Sequence, residues 1–232
     1  PTKTPLDSYS CRHGLGYTVV EGKKDGVTAR QELFVPKGDA CELDRLTLTN
    51  RSDRPRELDV FGYVEFCLWD AVDDSSNFQR NFSTGEVEVE PGVIYHKTEY
   101  RERRDHYAMF WSNTPVTSFD TTRDAFCGVY GGPADPQAVR AGHCSGSIAH
   151  GWAPVGALHI HVTLAPGEEK KILFGLGYIE NPQDEKFSAS GVINKTRAHA
   201  MMARYATDAQ VDAARAALAQ HWDTLLSTYH LE

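Results

Sequence analysis

The chain has 232 residues, and its 24 Lys and Arg against 32 Asp and Glu leave a formal charge of −8. A chain of this length buries roughly 70–75% of its unfolded surface. With 41% hydrophobic and 24% charged residues it can build one large β domain or two small ones, not a disordered, collagen-like or disulfide-stapled chain. The acidic balance argues against a nucleic-acid surface, which needs clustered Lys and Arg, and no apolar run approaches the ~20 residues of a membrane span.

The chain opens Pro1-Thr2-Lys3-Thr4-Pro5, with no initiator Met, basic start or apolar signal core. It therefore reads as a cytoplasmic protein and as a piece of a longer one. The cysteines (Cys11, Cys41, Cys67, Cys127, Cys144) are odd in number and contain no CxxC pair, so reduced thiols are expected. Three glycosylation sequons, at Asn50, Asn81 and Asn194, are taken as chance in a chain without a leader.

The first three-quarters reads as strands. Leu58, Val60, Val64, Phe66 and Leu68 fall on one face of a period-2 pattern, and Asp59, Phe61, Tyr63, Glu65, Cys67 and Trp69 on the other. Both faces carry large apolar groups, which predicts a strand covered on both sides, as in a thick sandwich. Leu46 and Leu48 precede it, and Asn50–Pro55 between the two runs predicts a hairpin turn. Glu86–Glu90 alternates Glu and Val before Pro91-Gly92, and strands are expected at 93–99 and 106–112 around a charged stretch. Leu158, Ile160, Val162 and Leu164 alternate before Pro166-Gly167, and Ile172–Tyr178 follows as a strand. The Gly-rich 131–146 reads as a long loop. The turn spacing suits an all-β sandwich.

The last fifty residues change character. Val192–Tyr205 has helical preference. Thr207, with Gln210 three residues on, is an N-cap with a capping box, and Val211, Leu218, Trp222, Leu225, Leu226 and Tyr229 then recur at helical spacing. Two Gly-Leu-Gly tripeptides, at Gly14 and Gly175, are too short to count as an internal repeat.

The chemistry is harder to read. His159 and His161 share a strand face and make half a metal site at most, with no third ligand spaced nearby. Arg12-His13-Gly14-Leu15-Gly16-Tyr17 lacks the third glycine and the following helix of a dinucleotide fingerprint. No phosphate loop or nucleophile elbow occurs. Asp70, Asp73 and Asp74 are as readily a solvated turn as an acid/base pair. The segment from Trp69 to Phe82 mixes aromatics with Asp, Asn, Gln and Arg, the blend that binds sugars: rings cover C–H faces while polar groups bond hydroxyls. A packed loop with Trp69, Phe78 and Phe82 in the core fits that composition equally well.

Two stretches, Tyr9-Ser10-Cys11-Arg12-His13-Gly14-Leu15-Gly16-Tyr17-Thr18 and Glu65-Phe66-Cys67-Leu68-Trp69 followed by Asn77-Phe78-Gln79-Arg80-Asn81-Phe82-Ser83-Thr84-Gly85-Glu86, resemble the cellobiose phosphorylases of glycoside hydrolase family ninety-four. Val192–Lys195 and Trp222–Ser227 resemble later parts of the same domain. The resemblance implies a mainly β fold: a large antiparallel β-sandwich of the galactose-mutarotase-like super-sandwich type over 1–185, then C-terminal linker helices over 186–232 leading to an α/α-barrel. It implies phosphorolysis of a β-linked disaccharide, cellobiose plus phosphate giving glucose 1-phosphate and glucose, with inversion. Inorganic phosphate is then co-substrate, no cofactor or metal is needed, and one carboxylic acid, in the barrel and outside this chain, protonates the leaving oxygen. It also implies a homodimer in which this domain reaches over the partner's barrel and sets Arg80 at the acceptor sugar, supported by Gln79, Asn81 and Asn77. Asp70 stands where the family's stretch carries Asn. A carboxylate only accepts hydrogen bonds, so an acceptor other than glucose, such as the gluconate of a cellobionic acid phosphorylase, is the alternative within the family. Outside it the alternative is a stand-alone sandwich that binds carbohydrate without chemistry. No nucleic acid or membrane partner is expected.

Overall fold

A computed structural model of the chain describes residues 4–66, 85–98, 105–151 and 154–227. In chain order its strands are β1 (Ser8–Gly14), β2 (Tyr17–Lys24), β3 (Val27–Phe34), β4 (Cys41–Asn50), β5 (Arg56–Glu65), β6 (Gly85–Glu90), β7 (Val93–Thr98), β8 (His106–Ser112), β9 (Ser118–Thr122), β10 (His150–Gly151), β11 (Pro154–Leu164), β12 (Glu169–Glu180), β13 (Phe187–Ala189) and β14 (Val192–Ile193). The helices are α1 (Arg123–Cys127), α2 (Gln137–Ala141), α3 (Thr196–Ala203) and α4 (Asp208–Leu226).

Nine strands form one sheet in the order β1-β2-β3-β4-β12-β8-β7-β6-β10, and three form a second in the order β5-β11-β9. Every pairing in both is antiparallel. The expected mainly β, antiparallel sandwich with C-terminal helices is therefore the observed architecture.

The large sheet is covered on both faces because its central strands alternate large apolar residues on each. Leu48, Ile94, Phe110, Ile172 and Phe174 point between the sheets and meet Phe66, Leu158, Ile160 and Leu164 of the small sheet side. Their neighbours Tyr95, Met109, Trp111 and Leu173 point the other way, onto Met201, Tyr205, Val211 and Leu218 around and within α3 and α4. The alternation read in β5 is borne out: Leu58, Val60 and Val64 enter the inter-sheet core, while Phe61 and Tyr63 pack outward under α1 and α2.

The expected hairpin at Asn50–Pro55 is a correction. β4 and β5 lie in different sheets, so the turn is a corner that carries the chain from one layer to the other. The same holds for the turn between β11 and β12. The reason is Asn50, fully buried at the junction of the two corners. Its Nδ2 donates to the carbonyls of Arg54, Leu164 and Ala165, and its Oδ1 accepts from the Ser52 N–H and hydroxyl. Its backbone bonds Glu168 and Gly167. One side chain thus satisfies carbonyls that leave ladder pairing at both corners.

Other local expectations meet the structure unevenly. The capping box is present: Thr207 accepts from the Gln210 N–H while the Gln210 side chain accepts from the Thr207 N–H. The expected loop at 131–146 contains the short α2, and Val192-Ile193 is strand, so the helix expected over 192–205 covers only Thr196–Ala203. In α4, Val211 and Leu218 are buried, whereas Leu225 and Leu226 are exposed. Tyr229 lies outside the described residues.

Candidate functional site at the open end of the sandwich

The pairing register sorts the connections into two ends. At one end lie the short turns at 25–26 and 91–92 and the two Asn50 corners. At the other end β1 finishes at Gly14 opposite Tyr17, β3 finishes at Phe34 opposite Leu43, and β12 passes Gly177 opposite Cys41 and Met109. β5 also finishes there, with Glu65 opposite Val155, and β6 starts, with Gly85 opposite Thr98 and Gly151. Both long motifs of the sequence therefore reach the same end: the Gly14–Tyr17 turn, and the strand Glu65-Phe66 that leads into 67–84. Arg80, Asp70, Gln79, Asn81 and Asn77 all lie outside the described residues. The structure places the entry to and exit from that segment.

The Gly14–Tyr17 turn is built around aromatic packing. Gly16 has φ +76, and a Cβ there would come within 2.6 Å of the Trp222 indole nitrogen on α4. The Arg215 guanidinium lies 3.9 Å from the Tyr17 ring centroid. The other Gly-Leu-Gly serves the same purpose, since a Cβ on Gly175 would meet the Trp111 ring at 2.2 Å. The Arg45 guanidinium holds α4 to the sheet, donating to Glu32 at 2.6 Å and to Asp212. Arg204 and Tyr205 donate to Asp39. The turn is thereby fixed through the helix beside it.

At the second motif, Tyr63 donates to Glu65 Oε1 at 2.8 Å and Arg123 Nε donates to the same oxygen at 3.2 Å. Burial, with the Glu65 hydrogen bond second, pushes the Tyr63 phenol up. Phe66 stacks on His96 with centroids 5.0 Å apart. Neither nitrogen of His96 has a hydrogen-bond partner among the described residues, and burial, with His106 second, pushes its imidazole down to about 4, so it is a neutral plate under Phe66. A cavity of about 590 Å³ opens beside them, lined by Glu42, Glu65, Phe66, Ala108, Leu176 and Tyr178 among others. Asp44, deeper on the same face, is pushed up to about 6 by burial despite the Gln31 amide that donates to it at 2.6 Å. Cys41 is pushed up to about 12 by burial, which leaves it a thiol rather than a nucleophile.

The described cysteines Cys11, Cys41, Cys127 and Cys144 are free thiols. Among the described residues no group of three or more His, Cys, Asp and Glu is arranged to hold a metal ion, and no helix is long and apolar enough to cross a membrane. The register does bring a third group to the histidine pair: His161 sits opposite Asp59. His159 Nε2 and His161 Nδ1 each donate to Asp59 Oδ1 at 2.9 Å. Sequence spacing could not find Asp59, about a hundred residues away. Nor could it find the Glu65–Arg123 pair, which only the folded sheet brings together.

The supersandwich-domain model of glycosyl hydrolase 94 matches residues 1–208. The chain belongs to this family. It is 34% identical over 228 residues to an N,N′-diacetylchitobiose phosphorylase of Vibrio furnissii, covering 96% of this chain and 26% of that protein. It is 37% identical over 171 residues to a solabiose phosphorylase of Paenibacillus borealis, covering 73% of this chain and 22% of that protein. The glycosyl hydrolase 94 supersandwich thus spans about a quarter of the length of the curated relatives it matches.

Proposed function

We propose that this supersandwich is part of an inverting disaccharide phosphorylase and forms one wall of its acceptor-sugar subsite. The observation that supports this is the convergence, at one end of the sandwich, of the Gly14–Tyr17 turn and the strand leading to Asn77–Asn81. In this reading the whole protein cleaves a β-linked disaccharide with inorganic phosphate, without a further cofactor. A carboxylic acid outside this chain protonates the glycosidic oxygen, and phosphate attacks the anomeric carbon from the opposite face. Arg80 holds acceptor hydroxyls: its charge is fixed and its fork of donors is planar. Asp70, Gln79, Asn81 and Asn77 orient the arginine or the sugar. The protein works as a cytoplasmic homodimer, the sandwich covers 1–185, and the helices over 186–232 lead to the catalytic barrel.

Cellobiose is the substrate the two sequence stretches favour. N,N′-diacetylchitobiose is the second reading, favoured by the Vibrio relative, and a gluconate acceptor at Asp70 is the third. Glucose 1-phosphate or N-acetylglucosamine 1-phosphate release by the full-length protein from each disaccharide in phosphate decides among the substrates. Arg80→Ala tests the site. Reduced acceptor use in the synthetic direction with unchanged use of the sugar phosphate supports it, and unchanged kinetics for both substrates removes Arg80 from the site. Release of no sugar phosphate from any of the disaccharides overturns the phosphorylase reading and leaves the stand-alone carbohydrate-binding sandwich.

A further inference from the structure

The outer face of the small sheet, turned away from the inter-sheet core, carries a second cavity of about 370 Å³. It is lined by Phe61, Tyr63 and Phe126, by Pro133, Pro136 and Val139, and by Asp59. The three rings are fixed against each other: Tyr63 stacks on Phe126 at 4.7 Å, and Phe126 is tilted 59° to Phe61 at 6.2 Å. Phe61 in turn stacks on His159 at 4.6 Å. The cavity belongs to the well-packed layer of α1, α2 and β11, where Cys127 and Ala157 are fully buried.

The polar chemistry of this cavity is one-sided. The Tyr63 hydroxyl is committed to Glu65 at 2.8 Å, and the two prolines have no N–H. The remaining side-chain polar group is the Asp59 carboxylate. Both imidazoles donate to its Oδ1, which holds the carboxyl below its ordinary value and leaves Oδ2 with no hydrogen bond among the described residues. His159 is itself fixed: the Cys144 N–H donates to Ser118 Oγ at 3.0 Å, and the Ser118 hydroxyl donates to His159 Nδ1 at 2.9 Å. The result is a braced anion in an aromatic trough, with no cation among the residues that line it.

A sugar hydroxyl both donates and accepts, and this trough offers its acceptors no side-chain donor. An organic cation has the opposite needs. Its charge is attracted by ring faces and by the carboxylate, and its alkyl groups fill apolar space. We propose that this cavity binds a small organic cation of the alkylammonium class, its charged end at Asp59 Oδ2 and its apolar body against Phe61 and Tyr63. The trough shares Tyr63 with the open-end group around Glu65 but lies on the outer face of the small sheet, and it does not depend on the phosphorylase reading.

The test compares choline with 3,3-dimethylbutan-1-ol, which has the same shape without the charge, by calorimetric titration of the full-length protein. Choline is expected to bind at least about tenfold more tightly than the alcohol, as befits a partly desolvated cation between rings and a carboxylate. It should also shift the NMR signals of the His159 and His161 imidazoles, which share Asp59. Asp59→Asn should weaken choline about tenfold and leave the alcohol unchanged. Phe61→Leu, which stays apolar but removes the ring face, should weaken choline more than it weakens the alcohol. Equal binding of choline and the alcohol, no binding of choline, or choline binding indifferent to Asp59→Asn overturns the proposal. Glucose competing for the same imidazole shifts while choline does not would make the trough a saccharide site instead.

Discussion

The two ends of the sandwich solve the same problem, how to turn strands around, in opposite ways. At the closed end the chain uses short turns, and the fully buried polar side chain that joins the two corners is a neutral amide. Asn50 has every donor and acceptor engaged. At the open end two of the enclosed side chains are an acid and a base. Asp44 and His96 are both displaced from their ordinary values by burial, and His96 has no hydrogen-bond partner among the described residues. A buried amide with all its bonds made stabilises the layer crossing at any pH. A buried carboxyl or an unpartnered imidazole costs stability and persists where other demands, here a cavity and the approach to 67–84, shape the fold.

The comparison can be broken at the closed end first. Asn50→Ala removes the amide that donates to the carbonyls of Arg54, Leu164 and Ala165 and accepts from Ser52, leaving Arg54 only the Ser52 hydroxyl and Ala165 only the Glu168 N–H, so a loss of about 3–5 kcal/mol is expected in urea unfolding, with little dependence on pH. A loss under 1 kcal/mol would show that water serves the corners as well as the amide does.

At the open end the expected effect depends on pH. The folded state holds Asp44 protonated up to about 6, against an ordinary 3.8. The folded carboxyl value is therefore the higher one, and stability is fully present below 3.8 and lost as pH rises through about 6. This amounts to up to about 3 kcal/mol at neutral pH. Asp44→Asn should raise the neutral-pH Tm and have almost no effect near pH 4. Equal gains at both pH values would remove burial of the carboxylate as the cause. His96 works in the reverse sense, because a base with a lowered value loses stability as pH falls from 6.5 toward about 4. His96→Phe, still stacked on Phe66, should therefore flatten the acid side of the stability profile.

A substitution between turn and helix is expected to be milder. Gly16→Val adds strain at positive φ and pushes on Trp222, for a loss of about 2 kcal/mol, readable as increased Trp222 exposure in fluorescence. The smallest stability effect belongs to Arg80→Ala. Here the expected change is about tenfold in kcat/KM for the acceptor, about 1.4 kcal/mol in transition-state terms, with Tm unchanged. If it unfolds the protein instead, the open end is structural in the way the closed end is.

Much of this was legible along the chain, because it depends on neighbours in sequence. Period-2 alternation over β5 shows a strand covered on both faces, since adjacent side chains must point oppositely. Thr207 and Gln210 show where α4 starts, because a cap bonds within its own first turn. Tyr9–Thr18 and Glu65–Glu86 carry the family resemblance. What stayed hidden needed partners far along the chain. The turn at Asn50–Pro55 has ordinary hairpin chemistry, and nothing local says that β5 pairs with β11 while β4 pairs with β12. That is decided by which layer each apolar face can be buried against, and by one amide placed to serve carbonyls more than a hundred residues away. The same long-range register sets Asp59 opposite His161 and brings Arg123 to Glu65. Local sequence determined the elements, their faces and the family, because propensity and capping act over a few residues. Tertiary structure alone decided the sheet order, the two unlike ends and the carboxylate between two imidazoles, because burial and cross-strand pairing act between residues that only folding makes neighbours.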